Sequence, residues 1–165
     1  MKKAAEQSKR YPFIAEHRGG PLTKENQRQL SRWARECAEH VLSLIDQEVN
    51  NRLLYALEVA KEWEKGALPT GEAMKASVMA HEVARQSADP VSKAVARAVG
   101  QAVATAHMAD HSLRGAFYAL KAVKLAKKNL EKEREWQTKR LNELPSDIID
   151  IVQAMWKEKE LDKRI

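Results

Sequence analysis

At 165 residues the chain suits one domain that buries roughly 68–70% of its unfolded surface, so its core needs neither a metal nor a disulfide framework. Helix formers dominate, aromatics make up 5%, and glycine and proline number 6 and 5, which excludes a sheet-built protein and predicts an all-α fold. The net charge of +6 is moderate, one cysteine cannot form an internal disulfide, and neither a signal-peptide pattern nor a long apolar run occurs, so the expected compartment is the cytoplasm with no membrane partner.

Residues 1–20 have little apolar periodicity and end at Gly19-Gly20-Pro21, so they are expected to form a mobile arm ahead of a single helical domain over 21–165. Thr23 is placed to cap a first helix reaching about Asp46, with Leu30, Trp33, Ala34, Cys37, Val41, Leu44 and Ile45 as its apolar stripe. Cys37 lies on that stripe and reads as a small buried hydrophobe rather than a reactive thiol. A second helix, about Asn50 to Lys65, buries Leu53, Leu54, Leu57, Ala60 and Trp63 and stops at Gly66. Thr70 is placed to cap a third, whose stripe of Ala73, Ala76, Val78, Ala80, Val83 and Ala84 is mostly small. Asp89-Pro90 starts a fourth, running to about His107, because aspartate accepts at the N-cap and proline at the first helical position forfeits no bond.

Gly100 in the interior of that helix costs roughly 1 kcal/mol relative to alanine, which predicts a close helix crossing there. The fifth segment, about Ser112 to Leu144, reads as one long helix of about 50 Å, capped by Asp110 or Ser112. Pro145-Ser146 ends it and opens a sixth, whose Ile148, Ile149, Ile151, Val152, Met155 and Trp156 fold back as a hairpin or cover a second copy of the chain. Residues 121–165 thereby form a C-terminal helical hairpin extension of an antiparallel bundle or array of about six helices.

The positive charge is uneven: residues 1–20 carry +3 and residues 121–144 carry +4, while 21–120 are balanced. Lys124, Lys127, Lys128 and Arg134 are therefore candidate phosphate ligands, with Trp136 as a stacking surface. Their interleaving with Glu131, Glu133, Glu135 and Glu143 fits a solvated helix better, so nucleic acid is not the expected partner.

His107 and His111, four apart around Asp110, share a face if the helix continues through them, which makes them metal candidates with His81 or Glu58 as a third ligand. The pair lacks the glutamate of HExxH, and helix-packing histidines are the more economical reading. Glu58 lies between Leu57 and Val59, and Arg97 between Ala96 and Ala98; if both point inward they must pair, because an unpaired buried charge costs several kcal/mol. Arg52 is able to join them, and the alternative is that all three emerge at the edges of their stripes. Arg52, Glu58, His81, Arg97, Gln101, His107 and His111 thus make up a candidate polar core or recognition pocket. No Gly-rich phosphate loop, CxxC pair, GxSxG elbow or EF-hand pattern occurs, so no catalytic residue and no cofactor is expected.

A set of residues carries a family resemblance: Leu30, Trp33, Cys37-Ala38-Glu39 and Val41-Leu42; Asn51-Arg52, Ala56, Glu58-Val59-Ala60 and Trp63; Ala80-His81 and Ala84-Arg85. It continues with Ala96-Arg97-Ala98, Gly100-Gln101-Ala102, Ala104-Thr105-Ala106-His107, His111 and Tyr118-Ala119. Over about Leu22 to Val123 the chain resembles the all-helical immunity proteins of bacterial polymorphic toxin systems. That resemblance implies a non-enzymatic cytoplasmic antidote whose partner is a cognate protein toxin.

Overall fold

The computed structural model describes residues 10–165, and among them are eight α-helices and no strand. They are α1 (Lys24–His40), α2 (Asn51–Glu64), α3 (Thr70–Gln86), α4 (Pro90–Ala104), α5 (His111–Leu125), α6 (Leu130–Leu141), α7 (Ser146–Glu158) and α8 (Leu161–Arg164). None is long and apolar enough to cross a membrane.

α4 sits in the middle. Its Ala94, Val95, Ala96, Ala98, Val99, Ala102 and Val103 are all buried, so it is apolar nearly all round, as a helix enclosed by its neighbours must be. It packs against α1, α2, α3 and α5, while consecutive helices from α2 to α5 are also neighbours in space and α1 lies against α2, α4 and α5. Small side chains make these approaches close: a Cβ on Gly115 of α5 would lie 3.3 Å from the Ala102 backbone of α4.

Helix starts follow local chemistry. Thr23, Asn50, Asp89 and Asn129 each accept a backbone N–H with their side chains at the starts of α1, α2, α4 and α6. Thr70 does not cap α3; its hydroxyl accepts instead from Trp63 Nε1 at 3.1 Å, and Pro69 occupies the cap position.

Three boundaries differ from expectation. α1 ends at His40 and hands over to a 3₁₀ turn at Leu42–Leu44, and α4 ends at Ala104 before reaching His107. The expected long fifth helix is two helices: Lys127 takes a left-handed backbone (φ 57°), and Asn129 then starts α6 by accepting from Lys132 N–H. The break turns α6 onto α1, where Trp33 Nε1 donates to the Gln137 carbonyl at 3.1 Å and Gln137 Nε2 donates to the Ala116 carbonyl at 3.0 Å. His40 completes the joint by donating from Nδ1 to Glu133 at 2.6 Å and stacking on Trp136 with ring centroids 3.7 Å apart. Trp136 is therefore occupied by a ring of the same chain.

Leu54 and Val78, assigned to buried stripes by their spacing, are 45% and 63% exposed. The buried faces of α2 and α3 run instead through Leu53, Ala56, Leu57 and Ala60, and through Ala73, Ala76, Ala80 and Ala84. Cys37 is fully buried, and burial pushes its thiol well above the ordinary range.

At the C-terminal end, Ile148, Val152, Met155 and Leu161 enter the same hydrophobic core as α1 to α5, so the chain itself covers them. At the other end, residues 10–20 form two 3₁₀ turns, bury Phe13 and Ala15, and pin Arg10 to Asp110 at 3.1 Å. The rest of the arm lies outside the described residues.

The strongest ionic tie joins α1 to α2. Arg35 Nε and Nη2 donate to the two Glu64 oxygens at 2.8 and 3.0 Å, with both side chains about nine-tenths buried, and Glu39 and Ser31 complete the cluster. Burial alone would lower the pKa of Arg35, but its bonds to Glu64 and Glu39 hold it above the ordinary arginine range. Removing one partner strands a buried charge. Arg35→Met is expected to cost about 3–5 kcal/mol in urea denaturation, whereas the double variant Arg35→Met/Glu64→Leu recovers most of that loss; an equal loss in both would assign the effect to packing.

Candidate functional site: a polar seam across three helices

Two polar side chains interrupt the apolar middle of α4, Arg97 and Gln101, and at i,i+4 spacing they lie on one face of it. Each meets a histidine of a flanking helix. Arg97 Nη1 donates to His81 Nδ1 of α3 at 2.8 Å. A guanidinium has no lone pair to offer, so Nδ1 must be the acceptor and His81 the neutral Nε2–H tautomer. On the other side, the Gln101 carbonyl oxygen lies 2.6 Å from His111 Nδ1 of α5, which makes that nitrogen the donor and leaves the lone pair on Nε2.

Gly100 makes the first contact feasible. A Cβ built there would fall 2.7 Å from the His81 ring, so the imidazole occupies the space that any other residue would need. Ser77, one turn before His81 on α3, reinforces the crossing by donating its hydroxyl to the Gly100 carbonyl at 2.9 Å. The close crossing expected at Gly100 is present, and what approaches is a ring rather than a backbone.

His107 is not on α4. It sits in the turn before α5, so no helix runs through both residues, and the turn rather than helical i,i+4 spacing places its ring 5.5 Å from that of His111 at a 50° tilt. Gln27 of α1 fixes the turn by donating to the Thr105 and Ala106 carbonyls, both at 3.0 Å. His107 Nδ1 is buried without a hydrogen-bond partner among the described residues.

All three imidazoles are held toward the neutral form. Burial is the main cause for His81, followed by Arg97, His111 and Arg85, and its pKa falls to about 4. His111 and His107 are also lowered, chiefly by burial, against the pull of Asp110, with His107 and Arg10 adding to the effect at His111 and Arg18 at His107. The seam is thus a line of three rings held toward the neutral form, two of them hydrogen-bonded to α4. Among the described residues no three of His, Cys, Asp or Glu gather as metal ligands.

Residues 20–144 match the family described as Imm-5 like putative immunity protein. The chain belongs to that family. The matched span holds the whole seam and helices α1 to α6, and leaves α7 and α8 outside. No curated protein and no solved structure matches the chain.

Of the seven pocket candidates, this family member brings His81, Arg97, Gln101, His107 and His111 into the seam. Glu58 is not among them: it is exposed on α2, and Arg97 pairs with His81 instead. Arg52 is also elsewhere, donating to Gln86 at 2.7 Å across the α2–α3 ends. Among the phosphate candidates, Arg134 is bound to Glu131 and Asp162, and Lys124 donates to the Ile165 carbonyl at 2.6 Å. Lys127 and Lys128 are exposed at the α5–α6 break.

Several polar anchors escaped the sequence. Gln27 stands three residues before Leu30 and seven before Ala34, a spacing that places it on the apolar stripe and was a usable signal. The Arg35–Glu64 pair left none, because its members sit on different helices whose rotation only packing decides.

Two measurements probe the seam. In the unfolded chain His81 binds its proton near pH 6.5, and in the folded one not until about pH 4, so its contribution to stability is whole above about 6.5 and is lost as pH falls through that window. Denaturation at a series of pH values should show the protein losing stability relative to His81→Gln between pH 6.5 and 4; a constant gap contradicts this. Gly100→Ala should be a net loss on the order of 1 kcal/mol, since overpacking against the ring, about 1–3 kcal/mol, outweighs the roughly 1 kcal/mol gained in helix propensity.

Proposed function

We propose that the protein is a non-enzymatic, immunity-type antidote that binds a cognate toxin and blocks it. The observation that carries this reading is the family match over residues 20–144, which spans the helices that enclose α4. The seam supports it indirectly. Its rings are held toward the neutral form, and two of them, His81 and His111, are bound by side chains of α4, an arrangement that fixes helix positions and presents a defined outer surface.

The outer face of α2 and α3 is the surface best suited to the toxin. Leu54 and Tyr55 on α2 and Met74 and Val78 on α3 are four of the six large apolar side chains exposed among the described residues, and the two helices are packed neighbours. Exposed apolar side chains gathered on adjacent helices mark protein-binding surfaces, and tyrosine is among the residues that most often dominate binding energy.

The test is co-expression with a candidate toxin, chosen from products encoded beside the chain's own gene. Cells should survive with the intact protein and die without it, and purified protein should bind that toxin directly. Tyr55→Glu and Val78→Glu, at positions 53% and 63% exposed, should weaken binding by about tenfold or more at unchanged stability. Absence of protection and binding by the intact protein would overturn the antidote reading. Full binding by both variants would overturn the choice of face alone.

A further inference from the structure

The loop between α2 and α3 closes over a second site, away from the seam. It is a cleft of about 380 Å³ lined by Lys24 and Arg28 from α1, Trp63 from α2, Thr70 from α3 and loop residues 66–69. Two cations line it and no acidic side chain does. Lys24 Nζ lies 5.9 Å from the centre of the Trp63 ring and has no ion-pair partner among the described residues. Arg28 has none either; it is half-buried, and its Nε is shielded from solvent with no hydrogen-bond partner among the described residues.

That orphan contrasts with Arg35, seven residues along the same helix, whose guanidinium is tied to Glu64 and Glu39. With no acceptor in the chain, the donors of this half-buried guanidinium are open to an acceptor that enters the cleft. The loop is shaped around the guanidinium. Gly66 has a left-handed backbone (φ 78°), and a Cβ there would approach Arg28 Nη2 to 3.1 Å. Thr70 adds a donor: its oxygen already accepts from Trp63 Nε1, so its hydroxyl hydrogen is available to a ligand. The first amides of the 17-residue helix α3, which has no side-chain cap, lie at the same edge and add to the positive field.

We propose that this cleft binds a phosphate-class dianion, held by the Arg28 guanidinium, the Lys24 ammonium and the Thr70 hydroxyl. Two fixed positive charges with no internal counter-charge balance a doubly charged anion, whereas a lone carboxylate leaves one of them unmatched. The arginine fork pairs two phosphate oxygens and the lysine acts as a point charge on a third.

The experiment is a titration of the full-length ¹⁵N-labelled protein with inorganic phosphate, followed by amide and indole shifts, against sodium chloride and sodium acetate at matched ionic strength. Saturable shifts are expected with phosphate at Gly66, Thr70, Gly71 and the Trp63 indole N–H. The double variant Lys24→Gln/Arg28→Gln should weaken phosphate binding by about tenfold or more, as loss of charge-assisted bonds predicts. Lys24 is exposed, so Lys24→Gln alone, with several-fold weakening, serves if the double variant is destabilised. Shifts that track ionic strength equally in chloride, or that survive in both variants, would overturn the site. Saturation by acetate at the same affinity would overturn its assignment to a dianion.

Discussion

The contact on which the architecture turns is the hydrogen bond from Arg97 to His81 across Gly100. A central helix of alanine and valine lets four neighbours approach closely, and it leaves no room for an unmatched charge. Arg97 is tolerated because it is only half-buried and keeps its charge near solvent while a neutral imidazole accepts one of its N–H bonds, and that imidazole fits because residue 100 has no side chain. Three residues on two helices thus set the α3–α4 crossing. The Gln101–His111 bond does the same for α4 and α5, one turn along the same face.

This arrangement explains why the seam is better read as scaffold than as reactive centre. The histidines are held toward the neutral form chiefly by burial, with nearby positive charge adding to it, and each of the two best-placed rings already has one nitrogen engaged. What the seam joins is α3, α4 and α5, and α3 in turn carries part of the surface features: exposed apolar side chains beside those of α2, and the Thr70 edge of the cationic cleft. The α1–α2 tie through Arg35 and Glu64 fixes the wall of that cleft, since Lys24, Arg28 and Arg35 share α1.

Where local chemistry decides the outcome, the sequence was legible. Thr23 and Asp89 cap the helices they were expected to cap, Cys37 is buried, and Gly100 marks a tight crossing. His81, Arg97, Gln101, His107 and His111 were named together and do converge. What failed depended on helix rotation, on breaks without glycine or proline, or, at Thr70, on a side chain drawn to a tryptophan of the neighbouring helix. Glu58 and Leu54 turned outward because Ala56 and Ala60 centre the buried face of α2. The expected long helix divides at Lys127, a non-glycine residue with positive φ, where the only local cue was the capping asparagine at 129. A cleft of about 690 Å³ bordered by α6, α7 and α8, with Trp33 of α1 and Leu120 of α5 also in its lining, likewise had no signature, because it arises from how those helices stack.

The most direct check of the Arg97–His81 contact is the protonation of the His81 imidazole nitrogens, read from ring ¹⁵N shifts across a pH titration of labelled protein. An Nε2–H tautomer with unprotonated Nδ1 at neutral pH, and a midpoint near 4, are expected. A ring that exchanges between tautomers and titrates at the ordinary histidine value of about 6.5 would contradict that contact.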